Sequence, residues 1–283
     1  MGLRGAIWNA GAPRGLALLL EGRTEFLEKL TVPAAELAAR GYAVAAVDWR
    51  GQGLSDRLVD PALKGHVVRF DDYLADLAAL LAHPRVAAEG PARLVLGHSM
   101  GAAIALAARA AGLTGAAPLI LSAPMAGIAI TGAKGGVFRA MARGARRIGL
   151  GERWPPVPGA DRPYVLQGFE GNCLTSDATF FDWHAGALRS EPRFQLGLPT
   201  LGWMAAAYDV MEALHNRPAA DYAGPALVAL GSREAVVDSA AVRALATRLR
   251  ASLTEIDGAR HDLLTEAAPL RTPFWTAVDT FLP

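Results

Sequence analysis

The chain has 283 residues, 52% hydrophobic and 19% charged. A chain this apolar buries enough surface to offset its ordering entropy, which excludes disorder. Its 28 Lys and Arg against 27 Asp and Glu leave a formal charge of +1, so there is no global field to gather nucleic acid. The lone Cys173 excludes an internal disulfide framework or a Cys-based metal cluster and reads as a small semi-buried side chain.

The first apolar run, Gly15–Leu20, is followed at once by Glu21 and Arg23. That is not an export signal, and a cytoplasmic protein is expected. Short apolar runs then recur at Ala43–Val47, Arg93–Gly97, Pro118–Leu121, Ala226–Gly231 and Leu253–Ile256. Such runs suit strands buried on both faces of a parallel sheet. Leu3–Trp8 supplies one early strand, which leaves a trimmed sheet edge. Helical patterns alternate with the strands at about 26–40, 71–82, 100–112, 239–250 and 267–282. The expected fold is α/β, a mostly parallel central sheet flanked by helices. The uncharged stretch 110–133 is long enough to span a bilayer, but Pro118, Pro124 and four glycines break it into loop, short strand and loop.

The alternation stops between Pro124 and Asp221. Helical pieces at about 135–147 and 196–214 fall there without clear strands between them. A structureless loop of that length is implausible in a compact domain. Residues 125–220 are therefore expected to form a helical cap on a core made of 1–124 and 221–283.

The sharpest local signal is Gly97-His98-Ser99-Met100-Gly101, between a buried strand and a small-residue helix. G-x-S-x-G in that setting puts a serine hydroxyl on a strained strand-to-helix turn, with helix N–H groups aimed at a developing oxyanion. A serine needs a base, and the base an orienting acid. His261 follows the last strand and is the expected base. Glu234 or Asp238, both after the Ala226–Gly231 strand, is the acid; Glu234 is favoured because Asp238 stands where a helix N-cap should be. A second oxyanion donor should come from the loop Glu21–Glu25, so the backbone N–H groups of Arg23 and Met100 are the natural pair, with Gly22 allowing close approach. His98 reads as packing in the turn, His184 and His215 as cap surface or capping residues, and His66 and His83 as surface. No metal or nucleotide signature is present, and no cofactor is expected.

These residues together resemble the α/β-hydrolase superfamily, in particular its bacterial lysophospholipase and monoacylglycerol-lipase-like branch. The resemblance also rests on Glu21–Lys29, Asp48–Asp56, Asn172-x-Leu174-Thr175-Ser176-Asp177, Gly197-x-Pro199-Thr200-x-Gly202-Trp203 and Gly258–His261. It implies a Ser99–Glu234–His261 hydrolase of monoacyl lipid esters, with a helical cap forming the acyl pocket and no cofactor. Activity should fall on acidification, because the base must be neutral to accept the serine proton. The basic run Arg139, Arg143, Arg146, Arg147 and Arg153 reads as a solvated face, or as a contact for a phosphate head group or membrane surface. Two departures stand out: Glu21-Gly22 replaces the common His-Gly, and Glu fills the acid slot usually held by Asp. A carbon–carbon hydrolase or a non-catalytic ligand-binding member are the rival readings of the same fold.

Overall fold

The computed structural model describes residues 1–130 and 132–282. Among the described residues, seven strands form one sheet: β1 (Arg4–Trp8), β2 (Leu16–Leu20), β3 (Ala43–Asp48), β4 (Ala92–His98), β5 (Leu119–Ser122), β6 (Ala226–Gly231) and β7 (Ser252–Ile256). Their spatial order is β1-β3-β2-β4-β5-β6-β7. β1 runs antiparallel to β3 and every other pair is parallel.

The continuous apolar runs have a direct cause. In β2, Leu16, Leu18 and Leu20 join the core on one face of the sheet, while Ala17 and Leu19 join the core on the other. Helices α2 (Asp71–Ala82), α4 (Met100–Ala110) and α8 (Ser239–Leu249) contribute to the first core. Helices α1 (Thr31–Ala39) and α9 (Ala268–Phe281) contribute to the second. A short helix, α3 (Pro84–Ala87), follows α2.

Two expectations need correction. The first helix begins at Thr31, not near residue 26: residues 26–30 fold as successive turns (Lys29 N to Phe26 O, Leu30 N to Leu27 O) that carry side chains into the site described below. β7 is not buried on both faces. As an edge strand it leaves Leu253 40% exposed, and Glu255 pairs with Arg243 of α8.

Between β5 and β6 the described residues form helices α5 (Gly132–Arg147), α6 (Ala178–Ser190) and α7 (Leu201–Asn216), with single 3₁₀ turns between and after them. α6 has no counterpart in the sequence reading. Two of the motifs end in helix caps: Asp177 accepts from Phe180 N at 2.9 Å to start α6, and Thr200 accepts from Trp203 N at 3.2 Å to start α7. Phe26, from the turns before α1, packs with Val165, Phe181 and Phe194 of this region, so the 125–220 segment is fastened to the loop that follows β2. Among the described residues, no helix is long and apolar enough to cross a membrane.

Candidate active site

Ser99 sits between β4 and α4 with φ +52° and ψ −114°, a backbone conformation that costs free energy and persists only where the surroundings enforce it. Its N–H donates to Ser122 O of β5 at 2.9 Å, and its carbonyl accepts from Met125 N and Ala102 N. The glycines on either side are sterically required. A Cβ on Gly101 would lie 2.1 Å from the Leu20 carbonyl oxygen, and one on Gly97 would lie 2.7 Å from Ala102 backbone.

The three side chains singled out from sequence meet here. His261 Nε2 lies 3.0 Å from Ser99 Oγ, and His261 Nδ1 lies 2.8 Å from Glu234 Oε2. The other Glu234 oxygen, Oε1, accepts from Val236 N at 2.7 Å and Val237 N at 3.1 Å. Burial pushes the Glu234 carboxyl up, but the bond to His261 and these two N–H groups outweigh it and hold it below the ordinary glutamate value. Asp238 accepts instead from Ala240 N and Ala241 N, as the N-cap of α8. His261 is placed from the 172–175 segment: its N–H reaches Cys173 O at 3.4 Å, the next N–H, of Asp262, reaches Leu174 O at 2.8 Å, and Arg260 Nη1 donates to Thr175 O. Asn172 Oδ1 shapes that segment by accepting from Leu174 N and Thr175 N.

The loop after β2 lies against Ser99. A Cβ on Gly22 would come 3.3 Å from Ser99 Cβ and 3.1 Å from His98 Cδ2. The Gly22 N–H donates to Glu25, while Gln52 Nε2 holds the loop by donating to Gly22 O at 2.9 Å and Glu25 O at 3.3 Å. This explains the 48–56 motif: Asp48 accepts from Leu27 N and Leu54 N, both at 2.8 Å, and pins the two loops together. Met100 opens α4, so its N–H is one of the helix N-terminal donors without an intrahelical acceptor.

Over Ser99 opens a cavity of about 620 Å³, walled by apolar residues such as Met125, Ile128, Val165, Leu188, Leu196 and Trp203. That volume suits one small organic ligand.

A profile of the serine aminopeptidase S33 hydrolases matches residues 11–268. The chain belongs to this family. It is 29% identical over 282 residues to a probable lysophospholipase L2 of Haemophilus influenzae, covering 99% of this chain and 87% of that one. It is 32% identical over 238 residues to lysophospholipase L2 of Escherichia coli, covering 79% of this chain and 65%, just under two thirds, of that protein. The fold matches a monoacylglycerol lipase of Paleococcus ferrophilus with a TM-score of 0.77 at 17% identity, covering 99% of this chain and 98% of that one. The expected α/β-hydrolase fold and its lysophospholipase-like resemblance are thereby borne out.

Within this S33 hydrolase, Glu21 does not line the cavity over Ser99. It is fully buried, accepts from Gln52 Nε2 at 2.6 Å and Trp49 N at 3.3 Å, and leaves Oε2 without a partner. Burial, with the neighbouring Asp48 charge, raises its carboxyl well above the ordinary value.

Three histidines differ from expectation. His66 is buried, with Nδ1 2.8 Å from Thr200 Oγ1. His184 is buried beside Phe26 and lines the cavity; burial, aided by the Lys29 charge, lowers it to about 3. His98 is more than packing: Nε2 meets Asp262 Oδ1 at 3.2 Å and Nδ1 meets Ser122 Oγ at 3.3 Å. In the sequence, only the continuous apolar surroundings of His184 could have signalled its burial.

His98, His261 and Asp262 bring ligand-type atoms within 4.8 Å of one another. Each already has a protein partner, and Lys29 Nζ stands 2.7 Å from Asp262, so this set is a poor cation cradle. In the basic run, Arg143 pairs with Asp209 and Glu212 and Arg146 with Asp209, which ties α5 to α7 and takes both out of a free cationic face.

Proposed function

We infer that this carboxylic-ester hydrolase cleaves esters of single-chain lipids, of the lysophospholipase or monoacylglycerol type, through an acyl-enzyme. The observation that carries the reading is the unbroken line from Ser99 Oγ through His261 to Glu234, at 3.0 and 2.8 Å, at the floor of an apolar cavity. Ser99 Oγ attacks the ester carbonyl while His261 Nε2 takes its proton. Glu234 holds Nδ1–H, which fixes the tautomer that leaves Nε2 free to accept, and stabilises the imidazolium that forms. The Arg23 and Met100 N–H groups receive the carbonyl oxygen as it gains charge. His261 returns the proton to the departing alcohol. Water then attacks the acyl-Ser99 ester with His261 again as base, releasing the fatty acid.

Residues 125–220 act as the cap over the acyl chain. The apolar wall favours a lipid over a peptide, whose free amino terminus would call for an acidic pocket; the unsatisfied charge on this wall is a cation (below). No metal or other cofactor enters these steps.

The test is release of fatty acid from lysophosphatidylcholine and monoacylglycerol, beside cleavage of an aminoacyl anilide and labelling by a fluorophosphonate. Ester cleavage and labelling, both lost in Ser99→Ala, are expected. Turnover that survives Ser99→Ala, or faster cleavage of the anilide, would overturn the reading.

A further inference from the structure

Of the charged side chains that line the cavity above Ser99, Arg23 stands apart from Glu25, Lys29 and Asp262, which pair with one another. The Arg23 side chain runs between the loop at Gly65 and the loop at Gly197. Nη2 donates to Gly197 O at 2.8 Å, and the guanidinium carbon lies 5.3 Å over the Trp203 ring. Trp203 is itself fixed, its Nε1 donating to the Tyr73 hydroxyl at 3.0 Å. Gly65 leaves the room: a Cβ there would stand 3.2 Å from Nη2. The guanidinium is thus clamped on one edge and one face.

It has no acidic partner among the described residues, and its Nε is buried without an acceptor. The nearby carboxylates are engaged elsewhere, Glu25 with Lys29 and Asp262 with Lys29 and His98. Burial lowers Arg23 only to about 10, so it stays charged at neutral pH. A partly desolvated guanidinium without an acidic partner is costly to keep, and a clamped planar fork with free donors is suited to a phosphate or carboxylate.

We propose that Arg23 is a substrate-recognition residue for a phosphodiester on the alcohol side of the scissile ester, so that phosphate-bearing lysolipids are preferred over neutral monoglycerides. The same residue offers its N–H to the carbonyl oxygen and its guanidinium to the head group. In a lysophospholipid only a short glycerol separates these two features. A neutral monoglyceride leaves this half-buried cation unpaired, which is how a polar site rejects an analogue lacking the matching group. The inference rests on the ester-hydrolase reading and narrows its substrate class. A fatty-acid carboxylate offers the same anionic chemistry from the product side, so the test includes it.

Inhibition of p-nitrophenyl ester turnover is measured with three non-hydrolysed competitors of one short chain length, below their micelle concentrations: a 1-O-alkylglycerol, the 1-O-alkyl-glycerophosphocholine and the fatty acid. Wild type, Arg23→Lys and Arg23→Met are compared, and affinities are read from intrinsic tryptophan fluorescence if a variant turns over too slowly. The expected result is that wild type holds the phosphocholine ether about tenfold or more tighter than the alkylglycerol, a gap of roughly 1.4 kcal/mol. That ratio collapses in Arg23→Met and is partly kept in Arg23→Lys. Because each ratio is taken within one protein, a general loss of turnover cancels. Equal affinities in wild type, a ratio that survives Arg23→Met, or tighter binding of the fatty acid than of the phosphodiester would each overturn the proposal. Failure of the hydrolase reading looks different, since it shows as turnover that persists in Ser99→Ala.

Discussion

The Lys29 ammonium lies 2.7 Å from Asp262 Oδ2, bringing together two residues 233 positions apart. The same nitrogen is 2.6 Å from Glu25 Oε1, and Asp262 Oδ1 meets His98. Glu25 in turn accepts from Gly22 N–H. One buried ion network therefore joins the loop after β2, the turn at His98 and Ser99, and the loop that carries His261. Burial opposes the Lys29 charge, but Asp262 and Glu25 outweigh it and raise its pKa; the same contacts depress Asp262.

Replacing Lys29 by Met leaves two carboxylates buried without their shared cation. Breaking a buried pair in this way costs about 3–5 kcal/mol. The expected outcome is a large fall in the urea midpoint, partly restored by adding Glu25→Gln. A midpoint within experimental error of wild type would show that the network carries no stability.

Glu234 and Asp238 separate cleanly by partner. Glu234→Gln keeps the shape but loses the charge that orients His261, so kcat for ester cleavage should fall by about 10⁴-fold. Asp238→Ala removes the α8 cap and should cost about 1 kcal/mol in chemical denaturation while kcat stays within about twofold. The reverse pattern in the two rate constants would move the acid to Asp238.

The parts of the site legible in sequence were those whose chemistry is written in adjacent residues. Gly97–Gly101 has its strand and helix on either side, and β4 must be buried on both faces. Glu234 could be preferred to Asp238 because a helix start needs a cap. What stayed hidden depends on contacts across the chain. The burial of His66 follows from Thr200 Oγ1, 134 positions away. The role of Lys29 follows from Asp262, and α6 is held by packing of Phe181 against Phe26. The turns at 26–30 carry helix-compatible residues, yet the polar and aromatic contacts of Glu25, Phe26 and Lys29 decide the backbone there.

The glycines divide by what a methyl would meet. Gly101→Ala drives a Cβ to 2.1 Å from the Leu20 carbonyl oxygen, a backbone atom of the central sheet that cannot yield cheaply. A loss of about 3 kcal/mol or more is expected, with failure to fold as the extreme. In α5, Gly144→Ala meets nothing within 4 Å. Removing unfolded-state freedom there should stabilise by about 0.4–1 kcal/mol. Thermal midpoints of the two variants moving in the same direction would contradict this.

His184 makes stability depend on pH. Burial, with a smaller push from the Lys29 charge, lowers its folded pKa to about 3 against an attraction from Asp262 and Glu25, while an unfolded histidine titrates near about 6.5. Between those values the unfolded chain binds a proton that the folded chain refuses. Stability contributed by this group is therefore full above about 6.5, falls as pH drops through that value at up to about 1.4 kcal/mol per pH unit, and levels off below about 3. Among the described residues the His184 Nε2 has no partner, so His184→Leu leaves no orphaned polar atom behind. Urea unfolding at pH 7.5 and pH 5 should show the variant losing about 2 kcal/mol less than wild type over that interval, where most carboxylates stay ionised. The comparison isolates this group, because His98, whose folded pKa is raised, contributes in the opposite sense to both proteins alike. Identical pH dependence in variant and wild type would mean that His184 is solvated and free to charge in the folded protein.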